Sequence, residues 1–308
     1  IVRRVVGQAL GLPWGSIQVI KPYIGGGFGN KQDVLYEPLC AWLCVQLGGH
    51  LVKLDIPRED TFVSTRVRHA IRNHIVSWVR PDGTFAARKL ESFSDQGAYA
   101  SHGHSIVAKG MGAFPQLYPC DNVECDAYTV FTNKSVAGAM RGYGIPQAMW
   151  AVECHTEEVA ARLGMDPIEF RRKNLMPVGY VDPFSKNELY SDTFNQCIDK
   201  GIEATDYLRK YEAYQHQTGD VRRGIGMAVF WYNTAVWPIS LETSSCRMVL
   251  NQDGSIQVQL GETEIGQGAD TAYAQMAADV VGIPMDMVHV VSCQDTDVTP
   301  FGTGAYAS

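Results

Sequence analysis

The sequence has no long apolar run and no concentrated patch of positive charge. None of its hydrophobic stretches approaches the ~20 residues that a membrane-spanning helix requires. Lys and Arg total 26 against 33 Asp and Glu, so the formal net charge is -7, and the basic residues are scattered along the chain. A nucleic-acid or anionic-membrane surface needs a basic face. The sequence therefore argues against both classes of partner.

The eight cysteines show neither the spacing of a metal site nor the pattern of a disulfide scaffold. Cys40 and Cys44 lie in an apolar, helix-like segment, Cys120 and Cys125 flank a predicted turn, and no CxxC pair is present. A disulfide scaffold is also unexpected in a chain of this size. Because no signal-peptide pattern follows Ile1, we expect reduced thiols in a cytoplasmic protein.

Two of the histidines, His102 and His104, stand in an SHGH segment that could supply a pair of metal ligands. A protein metal site needs a third ligand within reach, and the sequence does not place one there. We therefore favour a polar loop at this position.

The composition that is present fits a globular protein of about two domains. The 308 residues are 45% hydrophobic and 19% charged, which is usual for a chain with a sizeable core. Polar, turn-rich sequence at 211–220 divides the chain into predicted domains 1–215 and 216–308. The chain begins at Ile1 without Met and stops at Ser308 after a Gly-rich turn, so we expect an excerpt from a longer polypeptide.

Helix and strand signals alternate along the chain, which predicts a mixed fold of the α+β class. Helices are predicted at 37–47, 146–163, 167–174 and 271–281. Strands are predicted at 16–21, 52–56, 69–80, 85–95, 224–230, 245–250, 255–260 and 287–292. The runs 69–80 and 85–95 flank Pro81-Asp82-Gly83, and the runs 245–250 and 255–260 flank Asp253-Gly254, so each pair predicts a hairpin. Asp166 is predicted to cap the helix that starts at Pro167, with Glu169 as a capping-box partner.

Three glycine-rich loops carry the functional signals. The first, called here the GGGFG loop (residues 25–29), follows a predicted strand and precedes a predicted helix. A P-loop requires GxxxxGK[ST], but here Asn30 separates Gly29 from Lys31. A dinucleotide-binding fingerprint requires GxGxxG, and its third glycine is missing. Both nucleotide motifs are therefore rejected. The loop is either a ligand contact, since glycines allow close backbone approach, or a structural turn.

The Gly266 loop (residues 261–268, GETEIGQG) directly precedes a predicted helix. A helix N-terminus offers N–H donors and a positive dipole end, which suit an anionic or oxygen-rich ligand, and Gln267 can both donate and accept. The Arg141 loop (residues 139–144, AMRGYG) sets Arg141 among small residues, as in an anion contact, and Tyr143 could present its ring to a flat ligand. The alternative for the Gly266 loop is a tight structural turn, and the alternative for Arg141 is an ordinary salt-bridged arginine.

Taken together and in this order, the three loops resemble those of the molybdenum hydroxylase family, which includes xanthine dehydrogenase and aldehyde oxidase. That family carries a GGGFGGK-type loop, an A-[FM]-R-G-[FY]-G-x-P-Q segment and a T-E-[MI]-G-Q-G segment at comparable separations. Glu153, Asp166-Pro167, Arg171 and Asn174 resemble its E…LG-x-DP-x-E-x-R…N helix pair. The resemblance covers essentially the whole chain. It implies two elongated mixed α/β domains with the cofactor between them, as in bacterial molybdenum-binding subunits.

The resemblance also implies a role for each matching residue. The residues expected to contact a molybdenum–molybdopterin cofactor are Gly27, Phe28, Gly29, Arg141, Gly266, Gln267, Ala307 and Ser308. The residues expected to contact substrate are Gln32, Phe28, Tyr143 and Lys109. The pterin would hold the metal, with no direct protein ligand in this chain. The family's general-base Glu lies in a segment that this sequence does not contain, so no catalytic residue is assigned and the isolated chain is expected to be inactive.

The implied chemistry is hydroxylation, with water as oxygen source, of an electron-poor carbon beside a ring nitrogen or in an aldehyde. Electrons would leave through [2Fe-2S] clusters and FAD on partner subunits or domains of a homo-oligomeric cytoplasmic holoenzyme. Gln32 stands where purine-oxidising members have Glu, and Lys109 is the nearest counterpart of their Arg. We expect a purine-like heterocycle such as xanthine or hypoxanthine, with an aldehyde or another heterocycle as alternatives. A non-catalytic scaffold is the competing hypothesis, and Arg141 and Gln267 argue against it.

Overall fold

The computed structural model describes residues 1–232, 243–300 and 302. Helices and strands alternate along these residues, which confirms a mixed α and β fold. In chain order they are α1 Val2–Leu10, β1 Ile20–Lys21, α2 Glu37–Gln46, α3 Arg58–Ser64, β2 Ile71–Val79, β3 Phe85–Gly97, α4 Gly103–Leu117, β4 Asn122–Phe131, α5 Ile145–Leu163, α6 Pro167–Asn174, α7 Phe194–Thr205, α8 Tyr207–Gln215, β5 Cys246–Leu250, β6 Ile256–Leu260, α9 Ala269–Val281, β7 Val288–Val290 and β8 Gln294–Asp295.

The larger sheet has the strand order β2-β3-β4. β2 and β3 form the predicted antiparallel hairpin, with Ile71 opposite Ser94 and Trp78 opposite Ala87. β4 then pairs with β3 in parallel, and a parallel pair needs a long crossover connection, which α4 supplies. The hairpin prediction is confirmed, and α4 is brought across the sheet.

The main hydrophobic core lies between this sheet and helices α4, α5 and α6. Its most deeply buried apolar side chains, each 0–1% exposed, are Leu90, Phe114, Leu117, Val152 and Phe170. They come from one strand and three helices, so burial of the apolar helix faces against the sheet fixes the helix positions.

The α5–α6 pair forms as its local signals predict. α5 ends at Gly164, whose φ of 66° is the left-handed conformation that favours glycine. One carboxylate oxygen of Asp166 accepts hydrogen bonds from the N–H groups of Ile168 (2.9 Å) and Glu169 (3.0 Å), so the predicted cap of α6 is confirmed.

A buried polar network explains the family-like residues of this helix pair. Arg171 donates to Glu153 through Nε at 2.8 Å, and the Tyr118 hydroxyl donates to the other Glu153 oxygen at 2.6 Å. The Val229 N–H donates to Glu153 at 2.8 Å. Asn174 accepts from the Phe85 N–H at 3.0 Å. These residues therefore hold helices, hairpin and a distant segment together.

A smaller sheet has the order β5-β6-β7 and packs against α9 around Ile256, Val258, Leu260 and Ala277. The predicted hairpin at 245–260 and the helix at 271–281 are confirmed. The short pair β1–β8 matches Ile20 with Asp295. The beginning of the chain is thereby paired with a segment far along it.

Several predicted strands do not form. Of 16–21 only Ile20–Lys21 is a strand, and 52–56 and 224–230 are not strands. A strand needs a ladder partner, whereas the Val229 N–H bonds to a side chain and 225–231 packs on the main core. Residues 211–215, predicted as turn, belong to α8. The division at residue 215 stays a prediction.

No helix among the described residues is long and apolar enough to cross a membrane. All eight cysteines are described, and each carries a free thiol.

Candidate functional site

The three glycine-rich loops, which are far apart in the sequence, meet in the structure. The Gly26 N–H donates to the Ile265 carbonyl at 2.7 Å, which joins the GGGFG loop to the Gly266 loop. The Arg141 N–H donates to the Phe28 carbonyl at 2.9 Å, which joins the GGGFG loop to the Arg141 loop. The GGGFG loop therefore lies in the middle of a single three-loop cluster.

Close backbone approach requires glycine at two of the junctions. A Cβ atom on Gly29, whose φ is 93°, would lie 2.8 Å from the carbonyl carbon and oxygen of Ala139. A Cβ on Gly144, whose φ is 95°, would lie 2.1 Å from the carbonyl oxygen of Ile106 in α4. Any other residue would be excluded by both sterics and backbone conformation. These glycines thus have a structural role as well as a place in the cluster.

The two aromatic residues of the cluster have unusual backbones. Phe28 has a φ of 52° and Tyr143 a φ of 45°, and bulky residues in the left-handed region are strained outliers of the kind found at functional sites. The Phe28 side chain is 58% exposed. The Arg141 guanidinium carbon lies 5.7 Å from the Phe28 ring centroid, so the exposed Arg141 covers one side of that ring.

The GGGFG loop presents backbone donors. Among the described residues, the N–H groups of Gly27, Phe28 and Gly29 have no hydrogen-bond acceptor. Arg141 is exposed and forms no ion pair within that same part of the chain. Three adjacent N–H donors beside a guanidinium can bind an oxygen-rich or anionic group.

The donors of the Gly266 loop are instead used inside the protein. The Glu264 carboxylate accepts from the N–H groups of Gly266 (2.5 Å), Gly268 (3.3 Å) and Asp270 (3.1 Å). These hydrogen bonds lower the Glu264 pKa, and the bond from the Asp270 N–H has the largest effect. The sequence predicted that the N–H donors at the start of α9 are free to bind a ligand. That prediction is wrong for these three donors, because Glu264 already caps α9.

The Gln267 side chain also bonds within its own loop. Its Oε1 accepts from the Ile265 N–H at 2.7 Å, and its Nε2 donates to the Thr263 carbonyl at 2.9 Å. Gln267 is exposed, so it fixes the loop shape while remaining at the surface of the cluster.

A polar group lies behind Tyr143. His102 Nδ1 is 2.8 Å from the Tyr143 hydroxyl, and His102 Nε2 is 3.5 Å from Asp33 Oδ1. Asp33 Oδ2 accepts from Arg66 Nε and from the Ser101 hydroxyl, both at 2.7 Å. The hydrogen bond with His102 is the largest cause of the strongly lowered Asp33 pKa. The sequence offered His102 only as a loop residue or metal ligand.

No cluster of three or more metal-ligating side chains occurs in the part of the chain that the structure describes. His102 contacts a tyrosine and an aspartate, as a polar loop residue would. The predicted polar loop is wrong for His104, which lies in the first turn of α4, while His102 immediately precedes that helix.

Arg68 is a second residue that the sequence did not single out. Its Nη2 donates to the Arg141 carbonyl at 2.6 Å and its Nη1 to Gln147 Oε1 at 3.2 Å. Arg68 therefore supports the Arg141 loop from outside. Its position on an irregular segment before β2 gave no local signal of this contact.

Of the other predicted substrate residues, Gln32 contacts the GGGFG loop, whereas Lys109 lies on α4, the helix that packs against Gly144. The Gln32 N–H donates to the Gly29 carbonyl at 3.2 Å, and the side chain is half-buried. Lys109 lies on α4, with Nζ 5.4 Å from the Tyr232 ring centroid, next to Gly110, whose added Cβ would be 2.9 Å from the Gly144 carbonyl oxygen. The predicted Ala307 and Ser308 lie outside the described residues.

Comparisons with known proteins agree with this arrangement. Residues 1–175 and 200–308 each match a family described as "Molybdopterin cofactor-binding domain". The chain is 47% identical over 308 residues to the "Xanthine dehydrogenase molybdenum-binding subunit" of Escherichia coli O157:H7, covering 100% of this chain and 41% of that protein. The chain thus spans about two-fifths of the length of this relative.

Solved structures of related enzymes share the fold. Quinoline 2-oxidoreductase from Pseudomonas putida 86 superimposes with a TM-score of 0.85 at 26% identity, over 99% of this chain and 40% of that one. The aldehyde oxidoreductase from Desulfovibrio desulfuricans gives 0.84 at 26% identity, over 97% and 33%. With matched domains along most of its length, the chain belongs to the molybdopterin cofactor-binding domain family of the molybdenum hydroxylases.

Proposed function

We propose that the protein containing this chain is a molybdenum-dependent hydroxylase of flat nitrogen heterocycles, with purine-like rings as the substrate class. Water would supply the oxygen, and electrons would pass to partners that carry [2Fe-2S] clusters and FAD. One observation carries the proposal: the GGGFG, Arg141 and Gly266 loops form one cluster through backbone hydrogen bonds of 2.7 and 2.9 Å.

The residues present fit a molybdenum–molybdopterin cofactor. The N–H donors of Gly27, Phe28 and Gly29 face no acceptor among the described residues, and Arg141 adds a charged donor suited to oxygen-rich groups. When bound, the cofactor supplies the redox chemistry. Gly266 and Gln267 stay in the proposed contact set as residues that shape the Gly266 loop through hydrogen bonds inside it, and Ala307 and Ser308 remain predicted members of the set.

The chain's own task is to hold and orient the substrate. The exposed Phe28 ring and the Tyr143 ring stand on strained backbones at adjoining loops, which supports contact with a flat ligand. Gln32 and Lys109 would supply polar contacts that select the ring. The strain at Phe28 and Tyr143 is offset by the packed loops around them.

Metal content and substrate oxidation of the full-length protein test this function. After expression with molybdate, we expect molybdenum and pterin in the purified protein and faster oxidation of hypoxanthine than of benzaldehyde. Absence of both metal and pterin would overturn the enzyme proposal and favour the scaffold alternative. Metal-loaded protein that prefers the aldehyde would retain the family and overturn the substrate class.

An aldehyde substrate is the second candidate, and a specific observation favours it. Position 32 carries neutral Gln rather than a carboxylate, so the charged acceptor of purine oxidisers is absent. The similarity to a solved aldehyde oxidoreductase is as high as that to a heterocycle oxidiser. The two candidate substrates therefore predict different effects of placing a negative charge at position 32.

The variant Gln32→Glu separates these candidates. Glu would accept a charge-assisted hydrogen bond from a purine N–H, about twice as strong as a neutral one. We expect about a tenfold gain in kcat/KM for hypoxanthine relative to benzaldehyde, which needs about 1.4 kcal/mol in the transition state. Gln46→Glu, an exposed position at the end of α2, is the control. An unchanged substrate ratio would remove Gln32 from the substrate contacts.

A further inference from the structure

The hydrogen-bonded series Asp33–His102–Tyr143 links Tyr143, a proposed substrate contact, to two residues that belong to neither the cofactor set nor the substrate set. Its middle member, His102, immediately precedes α4, and its two ring nitrogens face different partners. Nδ1 lies 2.8 Å from the Tyr143 hydroxyl, and Nε2 lies 3.5 Å from Asp33 Oδ1. The imidazole and the phenol meet edge to face, with ring centroids 6.1 Å apart.

Asp33 is held in place from its other side. Arg66 Nε and the Ser101 hydroxyl both donate to Asp33 Oδ2, each at 2.7 Å, and the side chains of Asp33 and Arg66 are each 18% exposed. An aspartate fixed in this way keeps its Oδ1 toward the histidine. A carboxylate at one ring nitrogen sets which nitrogen carries the proton.

In a neutral imidazole whose proton is on Nε2, facing Asp33, Nδ1 has a lone pair and accepts the hydroxyl hydrogen of Tyr143. In this tautomer the Tyr143 hydroxyl donates to His102. Tyr143 needs such an anchor because its φ of 45° is a costly conformation for a residue with a side chain.

We propose that His102, oriented by Asp33, is a positioning residue that holds the Tyr143 ring in its place within the three-loop cluster. The proposal rests on the proposed function, in which Tyr143 packs on a flat heterocycle. A ring that packs on the substrate contributes to ground state and transition state alike, so its displacement raises KM more than it lowers kcat.

Three variants of the full-length holoenzyme test this role through KM and kcat for hypoxanthine. His102→Leu removes both polar contacts, and we expect KM to rise about tenfold, which corresponds to the loss of one hydrogen bond of about 1.4 kcal/mol. His102→Asn keeps a polar atom near the Nδ1 position, so we expect it to recover most of that loss. His104→Leu changes an exposed histidine in the first turn of α4, two residues from His102, and serves as the matched control.

A double-mutant cycle sharpens the assignment. Tyr143→Phe removes the hydroxyl, and we expect a smaller additional loss in the His102→Leu background than in the wild type, because the two side chains act through one contact. Additive losses, or equal effects of His102→Leu and His104→Leu, would overturn the proposal. Molybdenum content is measured for every variant, so loss of cofactor is not mistaken for a change in KM.

A crystal structure of the His102→Leu protein gives a readout that does not depend on the reaction. We expect the Tyr143 ring to be displaced or poorly ordered, while Phe28 and Arg141 keep their positions. A Tyr143 ring that stays in place overturns the positioning role, whatever the substrate is. Displacement in a protein that oxidises no heterocycle would instead support the role and overturn the proposed function.

Discussion

At the scale of single residues, the loop cluster depends on positions that admit no side chain. Gly144 has a φ of 95° and lies against α4, where an added Cβ would be 2.1 Å from the Ile106 carbonyl oxygen. Gly112 is exposed within α4 itself, and an added Cβ there would have no heavy atom within 4 Å. Gly144 therefore has no room for a side chain, whereas Gly112 has, and the two positions can be compared directly.

We expect Gly144→Ala to destabilise the protein by about 3 kcal/mol, from the left-handed backbone and the clash together. Gly112→Ala should stabilise it by about 0.5–1 kcal/mol, because alanine is the better helix former. Thermal and denaturant unfolding of both variants measure the difference. A neutral Gly144→Ala variant would contradict the tight packing of the Arg141 loop on α4.

Gln267 provides the second prediction at this scale. Gln267→Ala removes the two side-chain hydrogen bonds to the Ile265 N–H and the Thr263 carbonyl, so the Gly266 loop loses its fixed shape. We expect molybdenum occupancy of the full-length protein to fall, because each of these two hydrogen bonds contributes about 0.5–1.5 kcal/mol to holding the loop in shape. Elemental analysis measures occupancy.

Gln267→Glu is the companion variant, since it keeps an acceptor for the Ile265 N–H but loses the donor to the Thr263 carbonyl. We expect intermediate occupancy. Occupancy at the wild-type level in both variants would remove Gln267 from the proposed cofactor contacts.

At the scale of elements, the α5–α6 pair is fastened by a buried ion pair. The Arg171 side chain is 2% exposed and that of Glu153 is 7% exposed. Glu153 also accepts from the Tyr118 hydroxyl and from the Val229 N–H. The Glu153 carboxylate thus connects the end of α4, α6 and the segment after α8, and several hydrogen bonds depend on its negative charge.

We expect Glu153→Gln to lower the free energy of unfolding by about 3–5 kcal/mol, because it leaves the Arg171 charge less compensated in the interior. Glu158→Gln on the same helix is the control. Its pair with Arg162 is exposed and 3.8 Å apart, so its loss should cost less than about 1 kcal/mol. Urea unfolding compares the two, and equal effects would contradict the network.

At the scale of the whole molecule, the loop cluster joins parts that pack around different cores. The main core lies between the larger sheet and α4–α6, and the smaller core lies under α9. The GGGFG loop contacts both the Arg141 loop beside the first core and the Gly266 loop beside the second. Ligand sites commonly occur at such junctions.

The pH dependence of stability reports on this junction. The Asp33 pKa is held well below its usual range, first by the His102 hydrogen bond and then by Ser101 and Arg66. A carboxyl whose folded pKa is lowered stabilises the protein above its unfolded pKa of about 4, and that contribution is lost as pH falls toward the folded pKa.

We therefore expect Asp33→Asn to lower Tm by a constant amount above about pH 5, and by a shrinking amount below about pH 4. Thermal scans between pH 3 and pH 7 give the difference curve. Asp55→Asn, which alters an exposed pair with Lys53, is the control with the wild-type profile. A difference that does not shrink in acid would contradict the charged role of Asp33.

The sequence by itself determined the local structure where neighbouring residues impose it. The Asp166 cap, the Gly164 helix end and the hairpin at Pro81–Gly83 all formed as predicted, because capping and turn geometry depend on residues a few positions apart. The loop motifs also identified the family, since their residue types match it at comparable separations.

Only the tertiary structure decided which distant groups meet. It joined the three loops, paired His102 with Tyr143, and left 224–230 without a strand partner. Hydrogen bonds between residues tens to hundreds of positions apart leave no periodic trace in a sequence. They follow from the packing of the two cores, which places those backbones within bonding distance.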